Sequence, residues 1–138
     1  MSEHQARSFA PVASSESRVL ILGTMPGIAS LNDQEYYAHP RNSFWDIMGS
    51  LFGFDRSMPY SNRLTVFASK GAALWDVLQS CTRTGSLDSN IHHETIIPND
   101  FNRFFSDHPR ISSVIFNGQP AAKLYKRHVM PGLSNRHQ

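Results

Sequence analysis

The sequence predicts an α/β fold, a short parallel β-sheet with helices on both faces. Three apolar runs carry that reading: "RVLILG" at 18–23, "AALWDVL" at 72–78 and "SSVIFNG" at 112–118. Each is short and lacks strict alternation, as strands buried on both faces do. Stretches of helical spacing separate them. Strands that alternate with helices need crossover connections, and those make the sheet parallel.

The elements follow in order. After the first run, "TMPG" makes a tight turn. From Phe44 the apolar positions are Phe44, Ile47, Met48, Leu51 and Phe52, the i, i+3, i+4, i+7, i+8 pattern of an amphipathic helix. Asn42 and Ser43 precede it as candidate N-caps, and Gly53 follows as a left-handed C-cap. "SNRLTVFASKG" predicts a helix capped by Ser61 or Asn62, with Leu64, Phe67 and Ala68 inward and Gly71 as its stop; Thr65-Val66 leave a strand open as an alternative. "CTRTGSLDSNIHHETIIPND" is expected to be a long polar loop, a kind of segment that is often functional. "DFNRFFSDHP" predicts a short helix with Asp100 as cap and Phe101, Phe104 and Phe105 inward. "QPAAKLYKRHV" predicts a last helix with Pro120 in its first turn. Its Ala121, Leu124, Tyr125 and His128 face inward, and Lys123, Lys126 and Arg127 form an outer basic stripe.

With 138 residues the chain is the size of one domain. Residues 18–138 are expected to form it, and 1–17 to be a flexible polar leader with no hydrophobic signal core. Cys81 is the single cysteine, which excludes a disulfide framework and a four-cysteine metal or iron–sulfur site and fits a reducing, cytoplasmic setting. No apolar run has the length of a membrane span. Residues 1–100 hold seven Lys/Arg and ten Asp/Glu, whereas 101–138 hold six Lys/Arg and only Asp107. That asymmetry points to an anionic partner near the C-terminal part, although a basic stripe is more often a solvated helix face.

In parallel α/β sheets the ligand site lies beyond the carboxyl ends of the strands. That rule selects "GTMPG", "LQSCTRTGSLDSNI" and the "NG" at 117–118, with "YYAHPRNSFW" on the same rim. No GxGxxG, GxxxxGK[ST] or GxSxG motif is present, and adjacent His92-His93 do not converge on one metal, so no metal is assigned. The rim instead offers amides (Asn42, Asn90, Asn117), flat faces (Tyr36, Tyr37, Phe44) and glycines that permit close approach (Gly23, Gly27, Gly118). Such a set suits a planar heterocycle, stacked on aromatics and read at its polar edge by amides. Each member also has an ordinary role. An Asn before a helix is usually a cap, and aromatics there are usually core.

The segments "LILGTMPG", "YYAHPRNSFWDIM", "LWDVLQSCTRTGSLDSNI" and "VIFNGQPAAKLY" together resemble the uracil-DNA glycosylase superfamily, and more narrowly its hypoxanthine-DNA glycosylase (DNA-deoxyinosine glycosylase) branch. The resemblance runs from about Arg18 to about Pro131. It implies a three-layer α/β/α sandwich and hydrolysis of the N-glycosidic bond of a deaminated base in double-stranded DNA. Hypoxanthine is the expected base and uracil a further one. It implies no cofactor, no metal and no covalent lysine intermediate. Asn42 matches the catalytic Asn that positions water in this branch, since Met25 stands where other branches place one. Tyr37 matches the aromatic that stacks on the extruded base. Gly23, Thr24, Met25, Pro26, Gly27, Tyr37, His39, Ser89 and Asn117 are the expected base-binding residues. Arg41, Arg83, Lys123, Lys126 and Arg127 are expected on the DNA backbone. A monomer with no membrane partner, in the cytoplasm and on the nucleoid when bound, completes the expectation.

One departure matters. The family's last motif, roughly Pro-Ser-x-Ser-Pro-Ala after a fourth strand, has no counterpart before "PGLSNRHQ". The domain is therefore expected to be truncated at its C-terminus and to lack its last strand. The alternative function is a catalytically impaired nucleic-acid-binding domain of the same fold. A nucleoside hydrolase on a similar sheet is a more distant alternative, for which a carboxylate cluster at the strand ends is missing. In the glycosylase reading Asp88 is the only rim-loop carboxylate that is a candidate base. An amide orients water without deprotonating it, so bond breaking is expected to run ahead of attack.

Overall fold

The computed structural model describes residues 3–134 and 137. Met1 and Ser2, at the start of the expected leader, and Asn135, Arg136 and Gln138, at the end of the expected domain, lie outside the described residues. The elements are β1 (Glu3–Arg7), β2 (Val19–Gly23), α1 (Ile28–Asp33), α2 (Phe44–Phe52), α3 (Tyr60–Ser69), β3 (Ala72–Asp76), β4 (Leu78–Thr84), β5 (Ile91–Pro98), α4 (Phe101–Asp107), β6 (Ser113–Phe116) and α5 (Gln119–His128).

The three apolar runs form the expected parallel sheet, in the order β3-β2-β6. Alternate residues feed two cores. Leu20, Leu22, Ala73 and Trp75 pack with Phe101 and Phe104 of α4 and Ala121, Leu124 and Tyr125 of α5. Ile21, Ala72 and Leu74 pack on the other face with Phe44 and Trp45 of α2 and Phe67 of α3. The result is an α/β/α sandwich. Among the described residues β6 has β2 as its sole strand neighbour, so no fourth strand continues the sheet.

Several local expectations are corrected. The leader is not loose: β1 pairs antiparallel with β4, Ala6 is fully buried, and Val12 and Leu74 exchange backbone hydrogen bonds of 2.8 and 2.9 Å. Its backbone makes these contacts, so hydropathy does not register them. The long polar loop is a hairpin, with β5 antiparallel to β4 through two register irregularities. Its strand pattern was hidden because buried β4 positions include Ser80 and Arg83. The second run stops at Asp76; Val77 and Leu78 then donate to the carbonyls of Gly23 and Thr24 as the chain crosses into the second sheet.

The fourth correction concerns α2. Its inner face is Phe44, Trp45 and Gly49, while Ile47 and Leu51 are 51% and 67% exposed. The Trp45 indole fixes this rotation by donating to the Tyr36 carbonyl at 2.7 Å, fully inside the core. Ile47 and Leu51 line an apolar groove with Val19, Met48 and Ile115 of β6.

Other expectations hold. Gly53 ends α2 at φ 83°, Asp100 caps α4 by accepting from the Arg103 N–H at 3.1 Å, and Pro120 opens α5. The caps of α3 differ: its N-cap is Pro59, two positions ahead of the expected Ser61, and its C-cap is Lys70, just before the expected stop Gly71.

The end of α2 yields a stability prediction. Helix propensity alone favours Gly49→Ala by about 1 kcal/mol. A Cβ at Gly49, however, would collide with the backbone oxygen of Phe54, which cannot move aside. At Gly53 there is open space, and Ala there meets only the left-handed backbone penalty of about 1 kcal/mol. Thermal melting should therefore rank the parent first, Gly53→Ala second and Gly49→Ala last. A Gly49→Ala protein that melts above the parent would show that propensity outweighs the contact.

Candidate active site

Parallel register brings three strand ends together. Gly23 is opposite Asp76, Leu22 is opposite Phe116, and the Asn117 N–H donates to the Leu22 carbonyl at 2.8 Å. The carboxyl ends thus present Gly23, Asp76 and Asn117, with Asp76 where the longer expected strand would have placed Leu78. Above them opens a cleft of about 450 Å³. Its lining includes the whole Gly23–Gly27 turn, Tyr37, His39, Asn42, Asp88 and Asn117.

The "YYAHPRNSFW" stretch forms one wall and is tied down at nearly every step. Tyr36 is core: its N–H donates to the Tyr60 hydroxyl, and its own hydroxyl donates to the Ala10 carbonyl at 2.8 Å. The Ala38 N–H donates to Ser30 Oγ. Arg56 donates to the carbonyls of His39 and Asn42 and pairs with Asp46 at 3.1 Å, which pins both ends of the turn that carries Asn42. Tyr37 takes a left-handed φ of 54° and stacks on Phe44 with ring centroids 3.9 Å apart. Asn42 is exposed to the cleft, and its Oδ1 accepts from the Phe44 N–H at 2.9 Å. The amide is therefore fixed by a capping bond and still has free donor and acceptor capacity.

Gly23 is glycine for a steric reason. A Cβ there would lie 2.5 Å from the Tyr37 hydroxyl and 2.7 Å from Asp76 Oδ1. Its absence lets a phenol and a carboxyl converge on the cleft floor. Asp76 is 3% exposed, and its Oδ2 has no hydrogen-bond partner among the described residues. Burial first, and then the charge of Asp88, pushes its pKa up to about 7, against the pull of Arg83. Asp88 is half-buried; burial raises its pKa, while the neighbouring Thr24 hydroxyl and Arg83 favour its charged form. Burial and the Asp76 charge push the Tyr37 phenol up. Asn117 lies beside that phenol without closing a hydrogen bond of good geometry.

The structure sorts the expected residues. Gly23, Thr24, Met25, Pro26, Gly27, Tyr37, His39, Asn42 and Asn117 share the cleft. Ser89 does not; it is exposed and lines shallow depressions beside it, while Ser86 and Asp88 occupy the wall. Asn90 also turns away, donating to the Thr84 carbonyl. Arg83 is corrected outright. It has no exposed surface and so cannot reach a phosphate; its Nε donates to the Gly85 carbonyl at 3.0 Å and its Nη2 to the Pro26 carbonyl at 2.6 Å. Arg41, Lys123, Lys126 and Arg127 are exposed, and Lys123 lines a depression with Asp88.

Two residues were missed. Asp76 carried a signal, a carboxylate closing an apolar strand at the end where ligands bind. Arg56 carried none, because its partners are backbone carbonyls 14 and 17 residues away.

Comparisons with known proteins agree with this geometry. The family model described as Uracil DNA glycosylase superfamily matches residues 10–136. A hypoxanthine DNA glycosylase of Methanosarcina barkeri (strain Fusaro / DSM 804) is 36% identical over 118 residues, 85% of this chain and 73% of that protein. One from Methanosarcina acetivorans is 35% identical over the same shares. A candidate uracil DNA glycosylase of Methanosarcina acetivorans, solved by solution NMR, superposes with a TM-score of 0.79 at 32% identity, covering 95% of this chain and 81% of that one. This chain belongs to the uracil DNA glycosylase superfamily, in its hypoxanthine DNA glycosylase branch.

Proposed function

We propose that this DNA glycosylase excises hypoxanthine from double-stranded DNA by hydrolysing its N-glycosidic bond. The observation that carries the reading is the shared cleft, in which an aromatic wall and a glycine-rich turn face two exposed amides, Asn42 and Asn117. Its size and lining suit a single flipped base. Extrusion costs a few kcal/mol and least at a weak pair, which favours a deaminated base. The names of the relatives support hypoxanthine over uracil.

In this reading Tyr37, braced by Phe44 behind it, stacks on the base, and Asn117 contacts its polar edge. The backbone N–H groups of the Gly23–Gly27 turn stabilise charge that develops on the base. Asn42 positions the attacking water: its amide is held by the Phe44 N–H and still offers a lone pair and two donors. Arg41 and the Lys123, Lys126, Arg127 stripe contact phosphates.

Two experiments test this. A cap alone survives Asn42→Ser almost unchanged and loses about 1 kcal/mol on Asn42→Ala. A water-positioning amide is lost in both, so both variants should lose most single-turnover release of hypoxanthine from an inosine-containing duplex, while melting shows the fold intact. Excision by Asn42→Ser at the parental rate would reduce Asn42 to a cap. The second experiment separates phosphate contacts from a structural brace. Reversing Lys123, Lys126 and Arg127 to Glu should weaken binding to an inosine duplex and lower the salt slope by about 0.9 for each phosphate no longer neutralised. Arg83→Gln should lower the melting temperature instead, because it breaks the tie between Pro26 and Gly85. An unchanged slope in the triple variant would leave the stripe a solvated face.

A further inference from the structure

We propose that Asp76 is the general acid of base release, handing a proton from its carboxyl group to N7 of the departing purine. The inference rests on the glycosylase reading above and makes the site specific for purine leaving groups.

The placement is what singles out Asp76. It closes β3 at the carboxyl end of the sheet, opposite Gly23, and lines the cleft floor. Its side chain is almost wholly buried, and among the described residues Oδ2 meets no donor or acceptor. A buried carboxyl with an unmet oxygen costs stability unless something completes it. The rest of that carboxyl lines the cleft floor beside Gly23, where a seated base would meet it. The charged and titratable groups around it are Asp88 from the hairpin turn, Arg83 from β4, and the phenols of Tyr36, Tyr37 and Tyr60. Burial and Asp88 keep the carboxyl protonated up to about pH 7, and a stacked base removes more water and extends that range. Burial raises the Asp88 pKa too, but Asp88 is less enclosed and has Thr24 and Arg83 beside it, which pull the other way. Two carboxyls with environments that differ in this way divide into an acid and an anion.

The chemistry balances. As the C1′–N9 bond breaks, its electron pair moves into the purine ring. N7, conjugated with N9, takes the proton from the Asp76 carboxyl at Oδ1, the oxygen beside Gly23, and hypoxanthine leaves neutral. Water adds to the cationic C1′ and releases a proton to solvent, near the negative charge of Asp88. Asp76 recovers its proton from solvent when the cleft empties. An ionised Asp76 would instead repel the departing base anion. A pyrimidine has no N7 and gains nothing from this transfer.

The test is single-turnover release from inosine duplexes between about pH 5 and 9, with parent and Asp76→Asn. The parental rate should fall with rising pH along a limb at or above about pH 7. Asp76→Asn keeps the shape and a donor but has no proton to give, so its rate should be lower by roughly 10²-fold or more and lack that limb. A duplex carrying 7-deazahypoxanthine should reproduce the loss in the parent, and the two changes together should cost no more than either alone. Losses that multiply, or a parental rate and limb in Asp76→Asn, would overturn the proposal. Melting gives a readout independent of turnover. A folded pKa raised above the unfolded value of about 4 means the folded state binds the proton more tightly, so stability falls as pH climbs from about 4 to about 7. The parent should lose melting temperature relative to Asp76→Asn across that window, and a constant difference would sink the proposal. A parent that releases uracil but no hypoxanthine would overturn the substrate reading, and this inference with it.

Discussion

A buried guanidinium organises the cleft. Arg83 has no contact with solvent, yet it is charged, and an isolated buried charge is expensive. Carbonyls and the neighbouring Asp88 offset part of that cost, although Nη1 has no hydrogen-bond partner among the described residues. Nε and Nη2 bind the carbonyls of Gly85 and Pro26, and the acids Asp76 and Asp88 act on the same charge. Those two carbonyls belong to different rim segments, the turn after β2 and the turn between β4 and β5. Ser86 adds a second tie between them by accepting from the Ile28 N–H. The hairpin is therefore attached to the parallel sheet through the walls of the site itself.

The same cluster sets the electrostatics of the floor. Arg83 pulls the carboxyl pKa values down, while burial pushes both up and pushes that of Asp76 furthest. A protein built for stability alone would place an apolar residue at the end of β3. Keeping a carboxyl there costs stability and places a protonated acid on the cleft floor. Gly23 makes the arrangement possible, since any side chain at that point would drive Tyr37 and Asp76 apart.

The aromatic segment at 36–45 divides its residues between structure and site. Tyr36 and Trp45 are core, bonded to each other through the Trp45 indole and the Tyr36 carbonyl. They hold the strained Tyr37 and the exposed Asn42 where both face the cleft. Arg56 completes the support from outside by filling the backbone acceptors of the turn.

The parallel sheet, its two helical layers and most cleft residues were legible in the sequence, because continuous apolar runs and helical periodicity are local signals of burial. β2, α4 and α5 follow that logic directly. So does the convergence of Gly23, Tyr37, Asn42 and Asn117, which the ligand rule for strand ends implies once the sheet is parallel. The tertiary structure decided whatever depended on a distant partner. β1 is a strand because β4 lies beside it, and α2 buries Trp45 rather than Leu51 because the Tyr36 carbonyl receives the indole. Arg83 is a brace rather than a DNA contact because Pro26, 57 residues away, offers it a carbonyl. Asp76 owes its protonation to burial and to Asp88, neither of which is local. A side chain's type states what it can bond to, and only the folded chain determines which of those partners it meets and how much water remains between them.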